Sequence, residues 1–134
     1  MMNKPEISLR VPAGKEYALV LRLALGGVAI LKDLDAGTLD DLRVAADECC
    51  DCLLHQGAAA QWLELNVYDC QEHLTVSISA EFSGADAIAS CEDETEITRA
   101  VLETLAPEVT LHAAPCGCVE RIDLTLPKAV CMGA

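Results

Sequence analysis

Residues 38–56 read TLDDLRVAADECCDCLLHQ, and the reading of this stretch decides how the rest of the chain is arranged. Leu39, Leu42, Ala46, Cys49 and Leu53 recur at three- and four-residue steps, which is the period of a helix with one apolar face. Thr38 stands where an N-cap belongs, and Asp41 three residues on offers an acidic capping box. The expectation is one long amphipathic helix. Beside its apolar face runs a second stripe, Glu48, Cys52 and His55, at i, i+4 and i+7. A carboxylate, a thiol and an imidazole on one rail are either a site or the remains of one.

Working outward, residues 6–12 alternate Ile7, Leu9 and Val11 against Glu6, Ser8 and Arg10, the pattern of a half-buried strand ended by Pro12 and Gly14. Residues 15–32 predict a helix with Tyr17, Val20, Leu21, Ala24, Leu25, Val28 and Leu31 inward. Its Gly26-Gly27 pair, unfavourable by about 1 kcal/mol per glycine, suggests close packing against another element. Residues 33–37 read as a turn. Beyond the central stretch, residues 61–69 and 72–82 alternate polar and apolar side chains around a short Asp69-Cys70-Gln71 link, which predicts a hairpin. Residues 94–105 predict a helix with Ile97, Ala100, Val101 and Leu105 inward, stopped by Pro107. Residues 108–113 and 119–126 predict a last hairpin around residues 115–118. Helices should therefore segregate onto one face of a mostly antiparallel sheet, a two-layer α+β sandwich in a single domain spanning residues 1–134.

Charge excludes some functions. The chain has 134 residues and a formal net charge of −13, with five basic residues (Lys4, Arg10, Lys15, Arg22, Lys32) against Glu6 and Glu16 before residue 33. The remainder holds four basic and twenty acidic residues. Such a field repels phosphate backbones, so nucleic acid is not an expected partner, whereas a basic protein is. Apolar runs fall short of a membrane span, and the charged first twenty residues predict no signal peptide. A soluble, cytoplasmic protein is expected, and in that reducing compartment the eight cysteines read as small buried hydrophobes.

At this point the sequence resembles a known family. VPAGKEYALVLRLALGGVA (residues 11–29) followed by DDLRVAADECCDCLLH (residues 40–55) is similar to the anti-sigma-factor serine kinases, a regulatory branch of the histidine-kinase-like GHKL (Bergerat) ATPases. The element order agrees along the chain, and LTLPK (residues 124–128) is similar to the family's last strand. The resemblance implies the GHKL fold and three nucleotide motifs. In the first, Glu-x-x-x-Asn, the Glu is a general base and the Asn holds Mg²⁺. Glu48 matches the Glu, but Cys52 stands at the Asn, and a thiol is a poor ligand for hard Mg²⁺. In the second, Asp-x-Gly-x-Gly, Ala80 replaces the adenine-reading Asp and Phe82 the first glycine, leaving Gly84. The third is a glycine-rich loop whose backbone N–H groups cradle phosphates. Residues 90–96, SCEDETE, stand in its place without a glycine. From residue 83 to 98 there are five carboxylates and no basic side chain. Each like-charge approach near 4 Å costs about 4 kcal/mol before screening at an effective dielectric of about 20.

The resemblance thus implies a protein that has kept the scaffold and lost the nucleotide, with neither ATP nor magnesium expected as cofactor. Its expected function is that of an anti-sigma-factor-like regulator that binds a protein partner, either a sigma factor or an anti-sigma antagonist, without kinase activity. Arg22 occupies the position of an arginine in the family's partner-binding surface on the first helix. A homodimer through the sheet or the first helix is also implied. Two alternatives stay open. One is a residual serine/threonine kinase that uses Glu48 as base. The other is a metal or redox site drawn from Cys49, Cys52, His55 and the Cys116-Gly117-Cys118 turn, although no metal ligand set is favoured.

Overall fold

A computed structural model describes residues 4–55, 60–82, 92–114 and 118–127. The element order is β1 (Ile7–Pro12), α1 (Lys15–Leu31), α2 (Ala36–Leu54), β2 (Ala60–Asp69), β3 (His73–Phe82), α3 (Glu92–Leu105), β4 (Glu108–Ala113) and β5 (Val119–Pro127). All five strands join one antiparallel sheet in the order β1-β2-β3-β5-β4. The two hairpins, β2-β3 and β4-β5, form as the alternation predicts, and β1 closes one edge against β2. The result is the expected two-layer α+β sandwich.

Period-two patterning sends Leu63, Leu65, Val67, Leu74, Val76, Ile78, Ile122 and Leu124 to the helix side, where all are fully buried. The opposite strand positions carry Arg10, Glu64, Asn66, Ser77, Ser79, Arg121 and Asp123. α2 is the middle of the helical layer: it packs on β2, β3 and β5, with α1 on one side and α3 on the other. Its buried face is Leu42, Ala45, Ala46, Cys49, Cys50 and Leu53, close to the face read from the period.

Three sequence readings are corrected. The N-cap of α2 is Asp35, not Thr38. Asp35 Oδ1 accepts the Thr38 backbone N–H at 2.7 Å, so the helix begins at Ala36 and Thr38 is a donor within its first turn. The inner face of α1 is Leu21, Leu25, Gly26, Val28 and Ala29, while Tyr17, Val20 and Leu31, expected inward, are exposed. In α3, among the described side chains, Thr98 and Leu102 are buried, while Ile97 (62% exposed) and Ala100, both expected inward, face out.

The glycine pair also divides. Gly26 is buried, and a Cβ there would meet Arg43 and Leu39 at 4.0 Å, an ordinary contact. Gly27 is exposed, and a Cβ would meet nothing within 4 Å. Close packing inside this chain therefore explains neither glycine.

α1 stops without a glycine. Asp33 takes the left-handed conformation (φ 56), which aspartate tolerates better than most residues. Leu34 N–H donates to the Ala29 carbonyl at 2.9 Å and Asp33 N–H to that of Ile30 at 3.2 Å, the two bonds of a Schellman cap. Lys32, at the cap, then reaches the sheet. Its Nζ lies 2.6 Å from Glu6 Oε1 and 2.7 Å from Asp69 Oδ2, tying the end of α1 to the approach to β1 and the end of β2. The hydrogen bonds to Asp69 and then to Glu6 raise the Lys32 pKa above its ordinary 10.5.

Candidate functional site

α2 and β3 carry the residues at the first two nucleotide-motif positions. Glu48 and Cys52 lie one turn apart on α2, both half-buried, and Cys52 packs against the hydrophobic core. Ala80 and Phe82 fall on the helix-facing register of β3, opposite Leu63 and Ala60 of β2 respectively, and Ala80 also packs against the core. Gly84 and residues 83–91 lie outside the described residues, so the third motif can be placed only where it continues into the start of α3.

The thiols of α2 behave as hydrophobes. Burial, followed by the neighbouring Cys50, Cys52 and Glu48, pushes the Cys49 thiol well above its ordinary value. Burial, then the carboxylates of Asp47 and Asp51, pushes Cys50 up to about 12. Both stay protonated at neutral pH, which makes them unreactive and unsuited to metal. His55 caps the helix, with Nδ1 3.0 Å from the Asp51 carbonyl oxygen. Among the described residues, no group of three His, Cys, Asp or Glu side chains comes together as a metal site; Cys116 and Gly117 lie outside them.

A different constellation forms on the outer surface of the helical layer. Arg22 of α1 and Asp47 of α2 are joined across the two helices, Nη1 to Oδ2, at 3.0 Å. On one side of this bridge is a depression of about 510 Å³ lined by Arg22, Leu23, Asp40, Arg43, Val44 and Asp47. On the other is one of about 280 Å³, reached by Leu19, Arg22, Asp47, Cys50, Asp51 and Leu54 among others. Together they form a groove along α1 and α2 with the ion pair at its middle. Along it, α1 exposes Leu19 (46%), Leu23 (64%) and Ile30 (72%), and α2 exposes Val44 (50%), while Leu31 (66%) is exposed further round α1. Large apolar side chains at this density on one helix mark an interaction surface more often than chance exposure does.

The sequence placed Arg22 here through resemblance alone. Asp47 was missed, because a partner 25 residues away leaves no local signal. Leu19, Leu23 and Ile30 were legible as apolar but not as exposed, because α1 is apolar around most of its circumference. A third cleft of about 360 Å³ opens at the other end of α2, between Thr38, Asp41, Glu103 and Pro127. It holds none of the nucleotide-motif or partner-binding positions read from the sequence.

No helix among the described residues is long and apolar enough to cross a membrane. No family model matches the chain. The chain is similar to the protein named anti-sigma-F factor RsbW in two strains of Mycobacterium tuberculosis, CDC 1551 / Oshkosh and ATCC 25618 / H37Rv. In each case the identity is 31% over 83 residues, which is 62% of this chain and 49% of the relative. The chain thus matches about half the length of those relatives.

Proposed function

We propose that the chain is an anti-sigma-type regulatory protein that holds a protein partner, a sigma factor or an antagonist of anti-sigma factors, on the outer groove of α1 and α2. In this reading it neither hydrolyses ATP nor phosphorylates its partner. The observation that carries the proposal is the exposed apolar row of α1, Leu19, Leu23 and Ile30, set beside the bridged Arg22. This is the surface that the resemblance assigns to partner binding. The similarity to proteins named anti-sigma factors supports the same reading.

Loss of the nucleotide is argued from chemistry. Cys52 offers Mg²⁺ a thiol in place of an amide oxygen and packs against the core rather than into an open site. Ala80 has no acceptor for an adenine amino group. Glu48 keeps the position of a general base, yet a base without a metal-held phosphate has nothing to act on. Isothermal titration of the chain with ATP and Mg²⁺ is expected to show no binding in the micromolar range, and a micromolar dissociation constant would overturn this half of the proposal. Titration with the sigma factors of its own cell tests the other half: one of them binds, and Leu23→Asp abolishes that binding while leaving the circular-dichroism spectrum unchanged.

A further inference from the structure

The groove along α1 and α2 carries a charge pattern as well as an apolar row. Asp40, Asp47 and Asp51 follow one another at i, i+7 and i+11, steps that keep all three on one stripe of α2 over about 16 Å at 1.5 Å per residue. Asp47 is committed to Arg22 at 3.0 Å. Asp40 and Asp51, one at each end of the groove, take part in no ion pair among the described residues. The facing rim, on α1, is basic instead, with Lys15 and Arg22 at i and i+7. Between the rims the lining is Leu23 and Val44 on one side of the central bridge, with Arg43 of α2 beside them, and Ala18, Leu19 and Leu54 on the other; Arg43 forms no ion pair with Asp40, and the acidic stripe of α2 outnumbers it three to one. The floor of the smaller depression is Cys50, whose thiol stays uncharged. Leu19 and Leu23 are about 6 Å apart along α1, and Val44 and Leu54 about 15 Å along α2, which are one- to three-turn separations on a helix.

We infer that the groove receives an amphipathic helix of the partner, seated with apolar side chains on both sides of the Arg22–Asp47 bridge, and that Asp40 and Asp51 read a basic flank on that helix. The inference rests on the proposed function and names the chemistry of its partner. Two apolar depressions spaced by one or two turns match the i, i+4, i+7 anchors of a helix lying in a groove. Two unpaired carboxylates along one rim match cations at the same spacing on the occupant, and the cationic rim opposite discourages the same helix from lying the other way round. A second copy of the chain is a poorer occupant. Each copy carries a formal net charge of −13, so two copies repel before they touch.

The test uses the full chain and two synthetic helical peptides of equal length, both with leucines at i, i+4, i+7 and i+11. One carries lysines along one flank of the leucine row, and the other carries glutamates at the same positions. Fluorescence anisotropy should show the lysine peptide binding at least about tenfold more tightly, as two or three partly screened charge pairs allow. The Asp40→Asn/Asp51→Asn double variant should lose most of that preference and most of the salt dependence, while Leu23→Asp should lose both peptides. Equal binding of the two peptides, binding of neither, or a preference that survives Asp40→Asn/Asp51→Asn overturns the inference. So does a dimer in sedimentation equilibrium that Leu23→Asp dissociates, because the groove is then filled by a second copy. If a sigma factor binds and only Leu23→Asp abolishes it, the proposed function stands and the inference falls. If the sigma factor still binds Leu23→Asp, the proposed function falls first.

Discussion

The two outer faces of this sandwich are built on opposite terms. On the open face of the sheet, antiparallel register lines up Arg10, Glu64, Ser79, Arg121 and His112 in one row and Ser8, Asn66, Ser77, Asp123 and Thr110 in the next. Several of these side chains pair with one another, although Arg121 Nε and Asp123 Oδ1 make no hydrogen bond. Arg10 Nε lies 3.3 Å from Glu64, whose other oxygen accepts from Asn66 at 2.9 Å, and the Arg10 guanidinium sits over Trp62 at 5.8 Å. His112 Nε2 is 2.8 Å from Asp123, and Arg121 Nε is 3.3 Å from the other Asp123 oxygen. On the outer face of α1, Leu23, Ile30 and Leu31 are each more than half exposed, and Gly27 opens onto space. A partner covering the sheet would have to break polar pairs that already exist. A partner covering α1 removes apolar area from water at about 25 cal/mol per Å² and breaks at most one exposed ion pair. The difference teaches where binding energy is still unspent.

Five substitutions probe the contrast, and the first should have the largest effect. Leu23→Asp places a charge in the middle of the apolar row, so partner affinity should fall by about two orders of magnitude or more. Arg10→Ala, on the sheet face, should leave that affinity unchanged in the same titration. Equal losses from both variants would abolish the distinction between the faces. Next, Lys32→Met leaves Glu6 and Asp69 facing each other without their shared cation, and chemical denaturation should show a loss of about 2 kcal/mol. The sign with pH follows from the raised Lys32 pKa. Its contribution is fully present below pH 10.5 and is lost as pH rises through the higher folded value, so wild type and variant should converge in strong alkali.

Gly27→Ala should act in the opposite direction. With nothing within 4 Å of the added methyl, the chain should gain up to about 1 kcal/mol from helix propensity, read as a higher melting temperature. If partner affinity falls at the same time, the open position is part of the contact. The smallest change in stability is expected for Asp35→Ala, which removes the cap of α2. The hydrogen bonds from Thr38 lower the Asp35 pKa below its ordinary 3.8, so the stability it lends is present above that pH and is lost as acid protonates it. A modest drop in melting temperature at neutral pH that disappears in acid would bear this out.

The fold was largely readable from the sequence because β2, β3 and β5 alternate cleanly, and a period of two leaves only one face for the core. The helices were harder for a definite reason. α1 has three charged residues in seventeen, so its period could not tell a buried leucine from an exposed one, and Tyr17, Val20 and Leu31 were assigned to the wrong side. α3 misled in a similar way at Ile97. Thr38 looked like a cap because a threonine before an acidic turn usually is one, yet Asp35 had the better geometry three residues earlier. The motif positions Glu48 and Cys52 fall on α2 and Ala80 and Phe82 on β3, elements that the periodicity alone could locate. The Arg22–Asp47 bridge and the unpaired Asp40 and Asp51 could not be located in that way, because they depend on how two helices lie against each other.

Amide hydrogen exchange of the chain, alone and saturated with a sigma factor that titration shows to bind, tests the central claim most directly. The account predicts that added protection falls on the helices around Arg22 and Asp47, within Lys15–Leu31 and Ala36–Leu54, and leaves the strands β1, β4 and β5 unchanged. Protection confined to the strands, with α1 exchanging as it does in the free chain, would contradict it.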